Sequence, residues 1–257
     1  MINKVIQIAT EAGEIVREGF GKKFSIEYKT NASNLVTEFD KKSEAAIITF
    51  IKKEFPTHAV LAEESGSHKS TSEYLWVIDP IDGTTNFAHG LPIFGVSIGV
   101  QKNNETICGV VFDVMNNAIY SCEKGGGSYR NGQKLQVSTN SQIEKSNLVT
   151  GFPYNIADNP DFAIERFVAF LKTSRSVHRL GSAAIDMCYV ASGVFDGFFE
   201  VILHPWDVCA AKLLVEEAGG IVTNFAGEQI DIYSQQFLAC SKNIHQKMIE
   251  VLSIRDK

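Results

Sequence analysis

The sequence predicts a mixed fold in which helices and sheets alternate as layers, and three observations lead to it. Before Pro56, apolar side chains recur at helical spacing. Short apolar runs bounded by turn residues follow over 59–122, and helical and strand-like stretches then alternate over the second half. Consecutive strands build a sheet from neighbours, whereas alternating strands and helices place helices on a sheet's faces, so a chain with both patterns stacks layers.

Val5, Ile8, Ala9, Ala12, Ile15, Val16 and Phe20 fall at i, i+3, i+4 and i+7, with Lys4, Glu11, Glu14 and Arg17 elsewhere, and Gly21 ends this first helix. Thr37-Glu38-Phe39-Asp40 has the form of a capping box and opens a second helix through Ile47, Ile48 and Ile51, stopped before Pro56. Strands are expected at 59–61, 75–78, 94–100, 107–114 and 118–122, with turns at Lys102-Asn103-Asn104, Asn116-Asn117, Gly125-Gly126-Gly127 and Asn131-Gly132. In the second half, helices are expected from near Asp161, Ser182, Asp207 and Asn243, separated by strands at 148–151, 195–201, 221–223 and 237–240. No repeat, low-complexity stretch or interdomain linker interrupts the pattern.

With 44% hydrophobic and 21% charged residues, the chain has ample apolar material for a core. Its net charge of −6 argues against nucleic acid as a partner, because phosphate backbones require clustered Lys and Arg. The five cysteines are scattered and never spaced C-x-x-C, which fits free thiols in a reducing cytoplasm. No run approaches the ~18 apolar residues of a membrane span, and Lys4 and Glu11 interrupt any signal-peptide core.

Chemistry concentrates in Trp76-Val77-Ile78-Asp79-Pro80-Ile81-Asp82-Gly83-Thr84-Thr85-Asn86-Phe87. An interior strand runs straight into two carboxylates, which repel each other and are costly to desolvate. A turn leaving the strand can aim both to one side, and Gly83 and Thr84 then open a helical turn whose free N–H groups suit an anion. Metal ions bridging acids and anion would offset the repulsion. Taken singly, each candidate has an ordinary reading: D-x-x-D as a solvated turn, Glu63 and Glu64 as an acidic turn after a strand, Asp207 as a first-turn residue favoured by the helix dipole. Gly125-Gly126-Gly127 lacks the Lys-Ser/Thr of a P-loop. His204 reads as a supporting or core histidine, and Cys209 as a buried thiol.

Together these stretches resemble the inositol monophosphatase family of magnesium-dependent, lithium-sensitive phosphatases. The similarity is carried by 76–87 with Phe94-Gly95-Val96-Ser97-Ile98-Gly99, by Trp206-Asp207-Val208-Cys209-Ala210-Ala211 through Glu217-Ala218-Gly219-Gly220, and by Leu61-Ala62-Glu63-Glu64-Ser65. Weaker agreement covers nearly the whole chain. The resemblance implies an αβαβα sandwich, a single catalytic domain over 1–257 with halves of about 1–145 and 146–257 meeting at the active site, and a homodimer. It implies two or three Mg²⁺ ions, with Mn²⁺ as a substitute. Glu63, Asp79 and the Ile81 carbonyl match ligands of a first metal; Asp79, Asp82 and Asp207 match those of a second. Thr84 with Glu63 matches the pair that orients water, the Gly83 and Thr84 amides the phosphate cradle, and Glu200 the acid that meets substrate hydroxyls. Gly181-Ser182-Ala183-Ala184 matches the helix start beside the ring, and Asp40 and Lys29 a peripheral pair near a third metal. The family usually has glycine where this chain has Ala62.

The ligands are all hard oxygens, which suits magnesium better than zinc. The expected reaction is hydrolysis of a phosphate monoester by in-line attack of a metal-activated water, with inositol 1-phosphate as first substrate and broadened specificity. NADP(H), fructose 1,6-bisphosphate and 3′-phosphoadenosine nucleotides are alternatives on the same scaffold. A regulatory protein contacting RNA or the transcription machinery is the alternative of another class. The small and polar stretch Ser65, Gly66, Ser67, His68, Ser70, Thr71 and Ser72 is expected to be a mobile loop at the pocket mouth, shorter than in animal relatives and so permissive of bulkier substrates.

Overall fold

A computed structural model describes residues 1–29, 34–68 and 70–253. Helix α1 (Ile2–Gly19) leads into a two-stranded antiparallel ladder of β1 (Ile26–Tyr28) and β2 (Leu35–Thr37), then α2 (Glu38–Glu54). A large sheet follows from β3 (Ala59–Ala62), β4 (Gly66–His68), β5 (Tyr74–Asp82), β6 (Gly95–Lys102), β7 (Glu105–Asp113), β8 (Ala118–Glu123), β9 (Gly127–Arg130) and β10 (Gln133–Lys134), in the order β10-β9-β8-β7-β6-β5-β3-β4. The short helix α3 (Thr84–His89) separates β5 from β6. The remaining chain runs β11 (Asn147–Thr150), α4 (Ala163–Thr173), β12 (Ser176–His178), α5 (Ala183–Ala191), β13 (Gly197–Val201), α6 (Pro205–Glu217), β14 (Ile221–Thr223), β15 (Gln236–Cys240) and α7 (His245–Leu252). Its strands form a second sheet in the order β12-β11-β13-β15-β14.

Strand alternation sorts side chains into three cores and so fixes the layers. Trp76 and Ile78 of β5 pack with Val5, Ile8, Ile47 and Ile51 of α1 and α2. Val77, pointing the other way, packs with Val208 and Ala211 of α6 and Ile185 of α5. On β13, Phe198 joins that central cluster, while Phe199 joins Phe170 of α4 and Met248 of α7. The order is α1/α2, large sheet, α5/α6, small sheet, α4/α7: the expected αβαβα sandwich. Helix α5 is apolar nearly all round because both its sides are covered.

Three local differences from the sequence reading have physical causes. The strand expected at 75–78 continues to Asp82, through a bulge. The helix expected from Asp161 begins at Ala163, after a 3₁₀ turn in which Asp161 and Phe162 have positive φ. Strands β1, β4, β9, β10 and β12 have two to four residues, with exposed or half-buried polar positions, and too few apolar residues to show a period.

Candidate metal and phosphate site

Strand β5 delivers the first two acids. Asp79 lies opposite Ser97 and Asp82 opposite Gly95, so three residues of β5 advance against two of β6. Without the extra residue, strict alternation would send Asp79 and Asp82 to opposite faces; the bulge at Pro80-Ile81 restores them to one. That face is the one Val77 occupies, toward α5 and α6. Asp207 joins from the first turn of α6, and one carboxylate oxygen from each of Asp79, Asp82 and Asp207 falls within a mutual 4.8 Å.

Each acid is aimed by a few hydrogen bonds. Asp82 Oδ2 accepts from Ser182 Oγ at 2.5 Å and from the Ala184 N–H at 2.7 Å, so the N-terminus of α5 holds it. Asp79 Oδ1 accepts from the Ile81 N–H at 3.0 Å, and Asp207 Oδ2 from the His204 N–H at 2.7 Å. Burial, then the charges of Glu63, Asp82 and Asp207, pushes the Asp79 carboxyl well above its usual range. Burial pushes Asp82 up to about 6 against the pull of Ser182 and Ala184. Asp207 is raised by burial and by Asp82. A trio of crowded, mostly buried carboxylates with lone pairs to spare is a donor set for a hard divalent cation.

Glu63 follows β3, its N–H bonded to the Ile78 carbonyl at 3.1 Å, and its Oε1 is 2.9 Å from Lys29 Nζ. Lys29 also holds Glu64 at 2.6 Å. Burial would lower the Lys29 pKa, but Glu63 and Glu64 together raise it. Ala62, the departure from the family pattern, is buried in β3 beside Ile78 and leaves this turn intact. Sequence reasoning missed Glu44 of α2, whose carboxylate accepts from the Glu64 N–H at 2.8 Å and the Ser65 N–H at 2.9 Å. A signal existed: Asp40, Ser43 and Glu44 continue the buried stripe of Ile47 and Ile51, and polar residues on an apolar stripe need partners.

Asp40 is the N3 acid of the expected capping box, its Oδ2 accepting from Thr37 N–H at 2.8 Å and Thr37 Oγ1 at 2.6 Å. Its Oδ1 faces Thr84 Oγ1 at 3.0 Å, and that same hydroxyl lies 2.9 Å from the Ile81 carbonyl. Burial raises Asp40 to about 6 despite the Thr37 bonds. Gly83, before α3, has φ of 94°, and a Cβ there would come within 3.0 Å of the Ile93 carbonyl, so glycine is required.

These groups open onto a cavity of about 360 Å³, a size suited to a small metabolite. Glu63, Asp82, Gly83, Thr84, Asp207, Ser182, Ala183 and Glu200 line it, with Arg179 and Asp186, which the sequence reading did not single out. Burial lifts the Glu200 carboxyl to about 8. His204 is an exposed lining residue stacked on Trp206, not a core histidine. Cys209 is a buried free thiol, as expected. The stretch expected as a mobile loop at the mouth instead contains β4, paired with β3, and among the described residues none of 65–72 lines the cavity. The inference from loop length to bulky substrates therefore loses its geometry.

An acid cluster that could hold a hard metal ion, beside a cavity in an αβαβα sandwich, marks a class of layered proteins with an acidic site between the sheets. The family model of the inositol monophosphatase family matches residues 1–256, and the chain belongs to that family. It is 44% identical over 255 residues to the chloroplastic phosphatase IMPL1 of Arabidopsis thaliana, covering 96% of this chain and 68% of that protein. It is 41% identical over 229 residues to the Nus factor SuhB of Escherichia coli, covering 88% and 86%. The solved structure of inositol monophosphatase II from Staphylococcus aureus superposes with a TM-score of 0.83 at 30% identity, over 98% of this chain and 95% of that one. Structures of SaIMPase-II with inositol monophosphate and with 2′-AMP bound each superpose at 0.81.

Proposed function

We propose that residues 1–257 act as a single catalytic domain, a Mg²⁺-dependent phosphate-monoester hydrolase for polyol monophosphates, with inositol 1-phosphate as first substrate. The observation that carries this reading is the convergence of Asp79, Asp82 and Asp207, two of which, Asp82 and Asp207, line a cavity that Glu200 also lines. Asp79, Asp82, Asp207, Glu63 and the Ile81 carbonyl would hold the ions. Bound divalent ions supply positive charge that acidifies a water and offsets charge on the phosphate.

The chain's own residues do the rest. The Thr84 hydroxyl, between the Asp40 carboxylate and the Ile81 carbonyl, orients the attacking water with Glu63. The Gly83 and Thr84 amides receive charge that builds on the phosphate oxygens. Glu200 meets substrate hydroxyls. Lys29 holds Glu63 in place.

SaIMPase-II, with structures bearing both inositol monophosphate and 2′-AMP, supports inclusion of nucleotide monoesters, among them NADP(H), as secondary substrates. The test is phosphate release over inositol 1-phosphate, 2′-AMP, NADP(H) and fructose 1,6-bisphosphate, with magnesium present and chelated. Full turnover in excess chelator sinks the metal reading. Glu200→Gln should weaken kcat/KM for inositol 1-phosphate more than for 2′-AMP; an equal loss removes Glu200 from hydroxyl recognition. The name Nus factor, carried by the Escherichia coli relative, favours a second reading, a regulatory binding role. Binding retained by a hydrolysis-dead Asp207→Asn protein separates the two.

A further inference from the structure

Asp186 stands out from its surroundings. It lies in the first turns of α5, where Ala183, Ala184, Ile185, Met187 and Cys188 are all buried apolar neighbours. The residue is 1% exposed, and among the described residues neither carboxylate oxygen has a hydrogen-bond partner. Buried carboxylates without donors are among the groups proteins tolerate least, and each such case calls for an absent partner. Asp186 nevertheless lines the cavity, so the route by which a donor would approach its buried oxygens runs from that side.

Glu200, 8% exposed, lines the same cavity. It comes from β13, in a different layer, and no hydrogen bond to its side chain is found among the described residues. Its carboxylate presses on Gly151 so closely that a Cβ there would sit 2.3 and 2.4 Å from its oxygens. The glycine at 151 thus makes room for the acid. The charge of Glu200 acts on Asp186, and the charge of Arg179 at the rim reaches both. Two acids from separate elements therefore share one cavity, and among the described residues neither has a side-chain hydrogen bond.

We propose that Asp186 is a specificity-determining residue that, beside Glu200, exchanges hydrogen bonds with hydroxyl groups of the substrate's alcohol portion, directly or through one ordered water. This rests on the polyol monophosphatase reading and extends it to the residue that selects the alcohol. A polyol offers O–H groups to both acids. An aryl alcohol offers none and leaves them unpaired, which is how such a site discriminates.

The test compares the magnesium-loaded parent with Asp186→Asn and Asp186→Ala on inositol 1-phosphate and p-nitrophenyl phosphate, with melting temperatures measured alongside. Asp186→Ala should lose about tenfold in kcat/KM on inositol 1-phosphate, chiefly through KM, with less than about a twofold change on p-nitrophenyl phosphate. Asp186→Asn, which keeps an acceptor, should recover part of the loss. A purely structural role would move both substrates alike. Should the alanine variant not fold, deoxyinositol phosphates lacking one ring hydroxyl replace it: the hydroxyl read by Asp186 is the one whose deletion costs the parent more than it costs Asp186→Asn. A parent without preference for inositol 1-phosphate over p-nitrophenyl phosphate overturns the polyol reading and this inference with it. A parent with that preference, and variants that retain it unchanged, overturns the inference alone.

Discussion

Asp40 and Asp207 occupy the same local position. Each is the third residue of a helix, and each accepts a hydrogen bond from the backbone N–H of its N-cap residue, Thr37 in one case and His204 in the other. Beyond that the two regions diverge. Asp40 gains the Thr37 and Thr84 hydroxyls, so its two oxygens face three donors. Among the described residues Asp207 has a single protein donor, and its carboxylate joins those of Asp79 and Asp82. One acid is finished by the protein, and the other is left for a ligand. A capping position is a local property, but what the remaining lone pairs face is decided by elements distant in sequence.

Breaking the comparison begins with paired substitutions. Asp207→Asn keeps a capping oxygen and removes a ligand charge, so turnover should fall by about two orders of magnitude or more, with the fold intact. Asp40→Asn should lose less than about tenfold. Equal losses would show that Asp40 also serves a metal, as the family resemblance implied for a peripheral third ion.

Thr84 links the two regions through its hydroxyl. Thr84→Val should lower kcat on the order of a hundredfold, more than it raises KM, because the interaction strengthens at the transition state. A near-parental kcat would place the water elsewhere.

Stability sharpens the contrast. Asp40→Ala removes the N3 half of the capping box and leaves Thr37 short of an acceptor, which should cost about 1–2 kcal/mol in denaturant unfolding. Asp207→Ala relieves crowding among acids, so the metal-free protein should lose less than with Asp40→Ala. The reverse order would mean that the α6 cap outweighs the repulsion.

The smallest effect is on pH. Asp82 and Asp40 stand near 6, Glu64 near 7 and Glu200 near 8, all raised by burial. An acid raised in the folded state binds its proton more tightly there, so its contribution to stability is full below its ordinary value and is lost as pH rises through the folded one. The melting temperature of the metal-free protein should therefore fall between about pH 5 and about pH 8, and added magnesium should flatten the slope. An unchanged slope with magnesium would separate these acids from metal binding.

How much of this was legible depends on range. The capping box at Thr37-Glu38-Phe39-Asp40, the strand into Asp79 and the helix after His204 are written in local patterns and appear in the fold as read. Glu44 and Asp186 were legible in principle, as polar residues on apolar helix faces, yet the partners of Glu44 lie outside its helix and Asp186 has none among the described residues. The stretch 65–72 shows the opposite error: small polar residues read as a loop, but backbone pairing with β3 makes part of it a strand. Composition says nothing about an unpaired edge nearby.

The sequence by itself determined the layer pattern, the family and the acids offered as ligands, because periodicity, caps and motif spacing act over a few residues. The tertiary structure alone decided which acids meet. A bulge opposite Ser97 and Gly95 turns Asp82 onto the face of Asp79, the start of α5 grips Asp82, and α6 brings Asp207 across. It also decided that Asp40 is finished by Thr84 while Asp186 is left without a donor. Those outcomes depend on packing between residues more than a hundred positions apart in places, such as Asp82 with Ala184, where burial, rather than local propensity, determines which charges must find a partner.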